Sequence, residues 1–278
     1  LSQSFARNVQ HARAATNKHI DEEGKLAGVP GRSVALARQM AERRGEAGWL
    51  LTQDLNGAIL MHGRDRDLRR DIYEGFVTLA SDRGPTAGQF DNSDVMHEIL
   101  CLRREKARSL GYPDFASLQV NDRMAGSPKA VVDFLRSLAR RFKPQAEREL
   151  ERLRKFAIDE DGVDDLHAWD VHYYGERLRE REFGLNDESL REYFPLRVAK
   201  RGLFEIAERL FGLRFQEERH HSLWHQDATV YRAERRGEFV GLLFMDLFAR
   251  PDKRAGAWMH AAQPRYRKPV GALQCPIG

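Results

Sequence analysis

The sequence is poor in cysteine. Its 278 residues include two, Cys101 and Cys275, and they stand in no CxxC pair. Thiols so far apart exclude a disulfide-rich scaffold and a zinc site built from paired thiolates. We expect both to be ordinary reduced thiols.

Long apolar runs are also missing. The longest uncharged apolar stretch, FVGLLFM at residues 239–245, contains the GLLFM run of 241–245, whereas a membrane-spanning helix needs about 20 such residues. No apolar segment with a cleavage site opens the sequence, so we expect a soluble, cytoplasmic protein without a signal peptide or a membrane partner. The sequence starts at Leu1 and stops at Gly278, just after a strand-like segment, and we expect both ends to lie inside a longer fold.

An excess of one charge is absent as well. Lysine and arginine number 46 against 42 acidic residues, a net charge of +4. Acidic residues accompany the basic ones, as in RDRDLRRDIYE (64–74) and RLREREF (177–183), a pattern that predicts solvated helix faces. We therefore expect no nucleic-acid partner.

Several catalytic motifs are missing. The sequence has no glycine-rich phosphate loop and no GxSxG elbow. His97-Glu98 begins an HExxH pattern, but Cys101 stands where the second histidine should be, so we interpret Glu98 as a helix-surface residue. His221 and His225 are four residues apart, a spacing that suits two metal ligands on a helix. They lie between predicted strands, which favours a loop with a buried Trp224 and hydrogen-bonded histidines.

Apolar periodicity predicts helices through the first three quarters of the chain. Ser127-Pro128 is a typical helix opening, and Pro144 predicts a kink or restart. Trp169, Tyr173 and Tyr174 are predicted to pack between helices. The predicted helices cover residues 2–19, 31–47, 65–80, a segment capped by Asp91 or Ser93 and stopped by Gly111, the segment after Ser127, and residues 166–182, 187–193 and 197–211.

After Gly212 the period changes to that of strands. LRFQEE, ATVYRAER and EFVGLLFMDLFAR predict a hairpin or meander with a turn at Arg236-Gly237, and residues 256–260 and 269–275 look like two further strands. The predicted fold is mainly α, a multi-helix array (1–212) followed by a small antiparallel β-sheet (213–278).

An ordered set of segments resembles the thimet oligopeptidase/oligopeptidase A family of zinc metallopeptidases over nearly the whole chain. These segments are GWLLTQD (48–54), ASDRGPTAGQFDNSDVMHEILCLRREKARSLGY (80–112), MAGSPKAVVDFLRSLARRFKPQAERELERLRKFA (124–157), AWDVHYYGERLRE (168–180), LREYFPL (190–196), GLFEIAERLFGLRF (202–215), WHQDATVY (224–231) and LFMDLFARPDKRAGAWM (243–259). The sequence departs from the family at KRAGAW, where KRGGAW is usual, and its tail after Met259 fits loosely.

The resemblance implies a two-lobed, mostly helical fold around a deep channel, in which zinc held by HExxH and a later glutamate cleaves short peptides at internal bonds. This sequence lacks that motif, so the resemblance implies an internal portion of such a peptidase, with no catalytic or metal-ligating residue of its own and zinc only in the full-length protein. Short peptides are the expected partners, together with self-association through apolar surface that the rest of the fold would cover.

The alternative function is a non-catalytic helical fragment that binds peptides or serves as a scaffold. In the complete enzyme that the resemblance implies, we expect Gly256, Ala257 and Trp258 to line the peptide channel, because small residues let another backbone approach closely. The competing interpretation places Trp258 in the core and gives Gly256 only the role of easing a bend.

Overall fold

The computed structural model describes residues 1–184, 190–248 and 257–263. The chain divides into two compact units, Leu1–Gly202 and Leu203–Gly278, and the division falls inside a helix. The sequence-based division into 1–212 and 213–278 marks the change from helices to strands and stays a prediction.

Helices predominate in the first unit. In chain order they are α1 (Ser2–Ala15), α2 (Gly31–Arg43), α3 (Asn56–His62), α4 (Arg66–Val77), α5 (Ser93–Ser109), α6 (Phe115–Val120), α7 (Pro128–Asp161) and α8 (Ala168–Phe183). Short 3₁₀ turns at Glu23–Leu26 and Gln53–Leu55 and strands β1 (Lys18–Ile20) and β2 (Trp49–Leu51) lie between the first helices. Together with the small sheet of the second unit, they confirm the predicted mainly helical fold class.

The two short strands correct one prediction. β1 pairs antiparallel with β2, with Lys18 opposite Leu51 and Ile20 opposite Trp49. The helix predicted over 2–19 is therefore wrong at its end, since α1 stops at Ala15. Tertiary pairing buries Ile20, and that burial outweighs the local helical periodicity.

The start of α7 follows the sequence signal. Ser127 Oγ accepts a hydrogen bond from the backbone N–H of Ala130 at 3.1 Å, and Pro128 occupies the first helical position. The helix continues through Pro144 without restarting and ends at Gly162, whose φ of 69° is left-handed.

Buried apolar side chains among the described residues of the first unit form two clusters. The larger joins α2, α3 and α4 to the short strands through Ile20, Leu26, Ala37, Leu51, Leu55, Ile59, Leu60, Leu68 and Ile72. The smaller joins α7 to α8 through Leu153, Phe156, Ala157, Tyr173 and Tyr174. Tyr173 and Tyr174 are thus core residues as predicted, while Trp169 is half-buried and packs edge-on against Tyr73.

The second unit is built on a three-stranded antiparallel sheet. It contains the end of α9 (Leu196–Phe211) and strands β3 (Leu213–Glu218), β4 (Thr229–Arg235) and β5 (Glu238–Met245), in the order β3-β4-β5. Phe204 of α9 stacks on Phe215 of β3, with ring centroids 4.6 Å apart.

The predicted turn between β4 and β5 is present. Arg235 lies opposite Glu238, and both intervening residues, Arg236 (φ 55°) and Gly237 (φ 78°), are left-handed. That combination matches a two-residue hairpin loop of type I′, whose twist suits the flanking strands.

The remaining predicted strands and one predicted helix are either wrong or lie partly or wholly outside the described residues. Residues 257–260 form no strand, so the strand predicted over 256–260 is wrong there. Gly256, the strand predicted over 269–275, and residues 187–189 of the helix predicted over 187–193 lie outside the described residues. Among the helices of the described ranges, none has the length and apolar character needed to cross a membrane.

Candidate functional site

The residues predicted to contact substrate follow the last described strand. Ala257 and Trp258 are exposed, Trp258 to 54%, and Gly256 lies outside the described residues. In the sheet as described, β5 pairs on one side with β4 and forms an edge. A strand edge is where an extended peptide can add its own backbone hydrogen bonds.

The histidine-rich loop offers no metal centre. Within residues 1–184, 190–248 and 257–263, no group of three or more histidine, cysteine or acidic side chains is arranged to hold a metal ion. His221 instead pairs with Glu218 at 2.5 Å, and His225 Nδ1 accepts a hydrogen bond from the backbone N–H of Asp227. The described residues therefore do not fit a family zinc ion, and we derive no catalytic step through one.

For two other residues, one expectation is wrong and one is correct. Trp224, expected to be buried, is 54% exposed, and its indole N–H donates a hydrogen bond to Asp246 at 2.9 Å. Glu98 lies exposed on α5, as expected.

The most buried charges of the described chain are Arg69 of α4, 2% exposed, and Asp170 of α8, fully buried. Arg69 Nη2 donates to Asp170 Oδ1 at 2.8 Å, and its Nη1 donates to the carbonyl of Gly63 at 2.7 Å. The Arg69 guanidinium also lies over the ring of Tyr173, 4.1 Å from its centroid. This buried ion pair links α8 to α4.

A second arginine and a backbone N–H also donate hydrogen bonds to Asp170. Arg66 Nη2 donates to Asp170 Oδ2 at 2.8 Å and to Asp165 Oδ1 at 2.9 Å. The backbone N–H of His167 donates to Asp170 Oδ2 at 3.1 Å, one half of the capping box that opens α8. We call Arg66, Arg69 and Asp170 the ion-pair cluster.

The cluster controls the protonation of its members. Burial by itself raises the pKa of the Asp170 carboxyl, but hydrogen bonds from Arg66 and Arg69 outweigh it, so the pKa lies below its usual value. The hydrogen bond to Asp170 is the main cause that raises the pKa of Arg66. Nearby, burial and then the Asp161 charge raise the pKa of Tyr174 to about 12. At neutral pH the Asp170 carboxylate is therefore negative, the Arg66 guanidinium is positive and the Tyr174 phenol is neutral. These ordinary charge states are typical of a structural cluster.

Sequence reasoning missed this cluster. The run 64–74 was expected to be a solvated helix face, and that interpretation is wrong for Arg69. The available signal was spacing, because Arg69 lies between Leu68 and Ile72, two residues of the buried side of α4. Nothing in the sequence pointed to Asp170 as its partner, 101 residues away.

Comparison with known proteins identifies the family. The sequence profile of "Peptidase family M3" matches residues 59–277. The chain belongs to peptidase family M3. Oligopeptidase A of Escherichia coli (strain K12) is 39% identical over 280 residues, which cover 100% of this chain and 41% of that protein.

Two further relatives are less similar to this chain. Organellar oligopeptidase A of Arabidopsis thaliana is 31% identical over 96% of this chain and 35% of its own length. Dipeptidyl carboxypeptidase of E. coli is 28% identical over 93% of this chain and 38% of its own length. The chain thus spans well under half the length of these relatives, and family membership points to a peptidase.

Proposed function

We propose that this chain is a portion of a zinc-dependent oligopeptidase that cleaves short peptides at internal bonds. The observation that carries the proposal is the match to Peptidase family M3 over residues 59–277, together with 39% identity to a protein named oligopeptidase A along the whole chain. The two-lobed channel, the zinc and the short peptide substrates belong to the same proposal. The cytoplasmic location stays a prediction.

We also propose that the 278-residue chain alone is inactive. Activation of water for peptide hydrolysis needs a metal ligand set and a general base. The one His-Glu pair of the sequence, His97-Glu98, is followed by Cys101 rather than by a second histidine. Self-association remains part of the proposal, supported by exposed apolar side chains of α9 such as Leu210 and Phe211.

The purified chain is expected to show no chelator-sensitive cleavage of a quenched fluorescent peptide in the presence of zinc. The paired measurement uses a chimera in which this chain replaces the matching 280 residues of E. coli oligopeptidase A. The chimera is expected to cleave the peptide and to lose activity with chelator. Cleavage by the chain alone would refute its inactivity, whereas a folded chimera without activity would refute the oligopeptidase proposal.

The proposal includes substrate binding by Gly256, Ala257 and Trp258. It is supported by the exposure of Ala257 and Trp258 and by the strand edge at β5. The small side chains at 256 and 257 would let a peptide backbone approach.

Gly256→Val in the active chimera is expected to raise KM for peptides several-fold with a smaller change in kcat, because the added side chain obstructs the approaching backbone. Ala261→Val is the matched control, since Ala261 is exposed shortly after the proposed segment and gains comparable bulk. An unchanged KM for Gly256→Val, or an equal rise in the control, would contradict the assignment.

A further inference from the structure

The incomplete HExxH pattern on α5 brings together two side chains that the proposed function does not use. Cys101 is a free thiol that follows His97 by four residues, one helical turn. Its Sγ lies 3.6 Å from His97 Nε2. His97 is exposed and Cys101 is partly exposed, so an ion from solvent can reach both atoms.

The separation of these atoms suits a shared metal ion. Zinc binds thiolate sulfur at about 2.3 Å and imidazole nitrogen at about 2.0 Å, so tetrahedral geometry places the two ligand atoms about 3.5 Å apart. The observed 3.6 Å therefore allows both atoms to bind one ion without a change of helix geometry.

We propose that His97 and Cys101 form a two-ligand binding site for a thiophilic divalent cation of the zinc class. Water fills the other coordination positions, because no third histidine, cysteine or carboxylate completes a cluster in the described part of the chain. When the metal–sulfur bond forms, the thiol S–H bond breaks and its proton passes to the buffer.

The surrounding helix supports binding of a cation. Asp94 precedes His97 by three residues, Glu98 precedes Cys101 by three and Glu105 follows Cys101 by four. Helix spacing therefore places three carboxylates near this side of α5, where Arg104 and Arg108 also lie. The pair stands in the middle of a 17-residue helix. Backbone hydrogen bonds already fix its spacing, so binding orders little besides the two side chains.

Cobalt(II) alone is the probe, because cobalt–thiolate bonds absorb in the near ultraviolet. The experiment uses the 278-residue chain with Cys275→Ser, which leaves Cys101 as the single thiol. Titration is expected to develop a charge-transfer band that saturates at one cobalt per chain, and added zinc is expected to displace it.

The two ligands are tested separately. Cys101→Ser is expected to abolish the band, and His97→Ala is expected to weaken cobalt binding by more than about tenfold. His172→Ala, which removes an exposed histidine of α8, is the control and is expected to leave the affinity within about twofold. Far-ultraviolet circular dichroism of each variant confirms that its helices are intact.

Either of two results would overturn the proposal. One is a Cys275→Ser chain that develops no band at millimolar cobalt. The other is a folded His97→Ala variant that binds cobalt as tightly as its parent, which would make Cys101 a single-ligand thiol rather than half of a site.

Discussion

Replacement of Asp170 with alanine is expected to lower the free energy of unfolding by about 3–5 kcal/mol, because it leaves the Arg69 guanidinium buried without its charged partner. The carboxylate accepts hydrogen bonds from Arg66, Arg69 and the backbone of His167. Urea unfolding monitored by tryptophan fluorescence measures the change. All variants also carry Trp224→Phe and Trp258→Phe, so that the fluorescence comes from the tryptophans of the first unit, Trp49 and Trp169.

Two comparisons make this result specific. Asp165→Ala removes another carboxylate bound by Arg66, but its side chain is 61% exposed, and only a small change is expected. The double variant Arg69→Met, Asp170→Leu removes both buried charges and is expected to be more stable than Asp170→Ala alone. If Asp165→Ala costs as much as Asp170→Ala, burial of the ion pair is not the source of the effect.

Replacement of Gly28 with alanine is expected to cost at least about 2 kcal/mol, because its backbone and its surroundings both exclude a side chain. Gly28 has a φ of 88°, which non-glycine residues rarely adopt. A Cβ at this position would lie 2.4 Å from the backbone carbonyl oxygen of His62 at the end of α3. Relief of that clash requires a shift of α3 relative to the loop before α2.

The matched control for Gly28 lies four residues earlier in the same segment. Gly24 has no atom within 4 Å of the position a Cβ would take. Gly24→Ala is therefore expected to leave stability unchanged or to raise it slightly by restricting the unfolded chain. Urea midpoints of the two variants provide the measurement, and equal losses would show that close packing around Gly28 is unimportant.

Local signals predicted most of the fold. Ser127-Pro128 marks the start of α7, Gly111 and Gly212 follow the ends of α5 and α9, and the left-handed pair Arg236-Gly237 joins β4 to β5. Each of these depends on the backbone preference of one or two residues. Family membership, predicted from the ordered segments, is likewise confirmed.

Features set by distant contacts were beyond local reasoning. The pairing of β1 with β2 converts the end of a predicted helix into a strand. The buried Arg69 is paired with Asp170, 101 residues away, and the exposed Trp224 donates to Asp246, 22 residues away. The 3.6 Å approach of Cys101 to His97 was available from their spacing, because side chains four apart on a helix are neighbours.

The meander of the second unit has a consequence for the order in which this chain folds. β3 pairs with β4 and β4 with β5, and β4 and β5 are separated by two residues. Such pairings close short loops and lose little chain entropy before their contacts form. By contrast, the ion-pair cluster must bring together residues about 100 positions apart. We therefore expect the sheet to be an early event and the docking of α8 on α4 a late one.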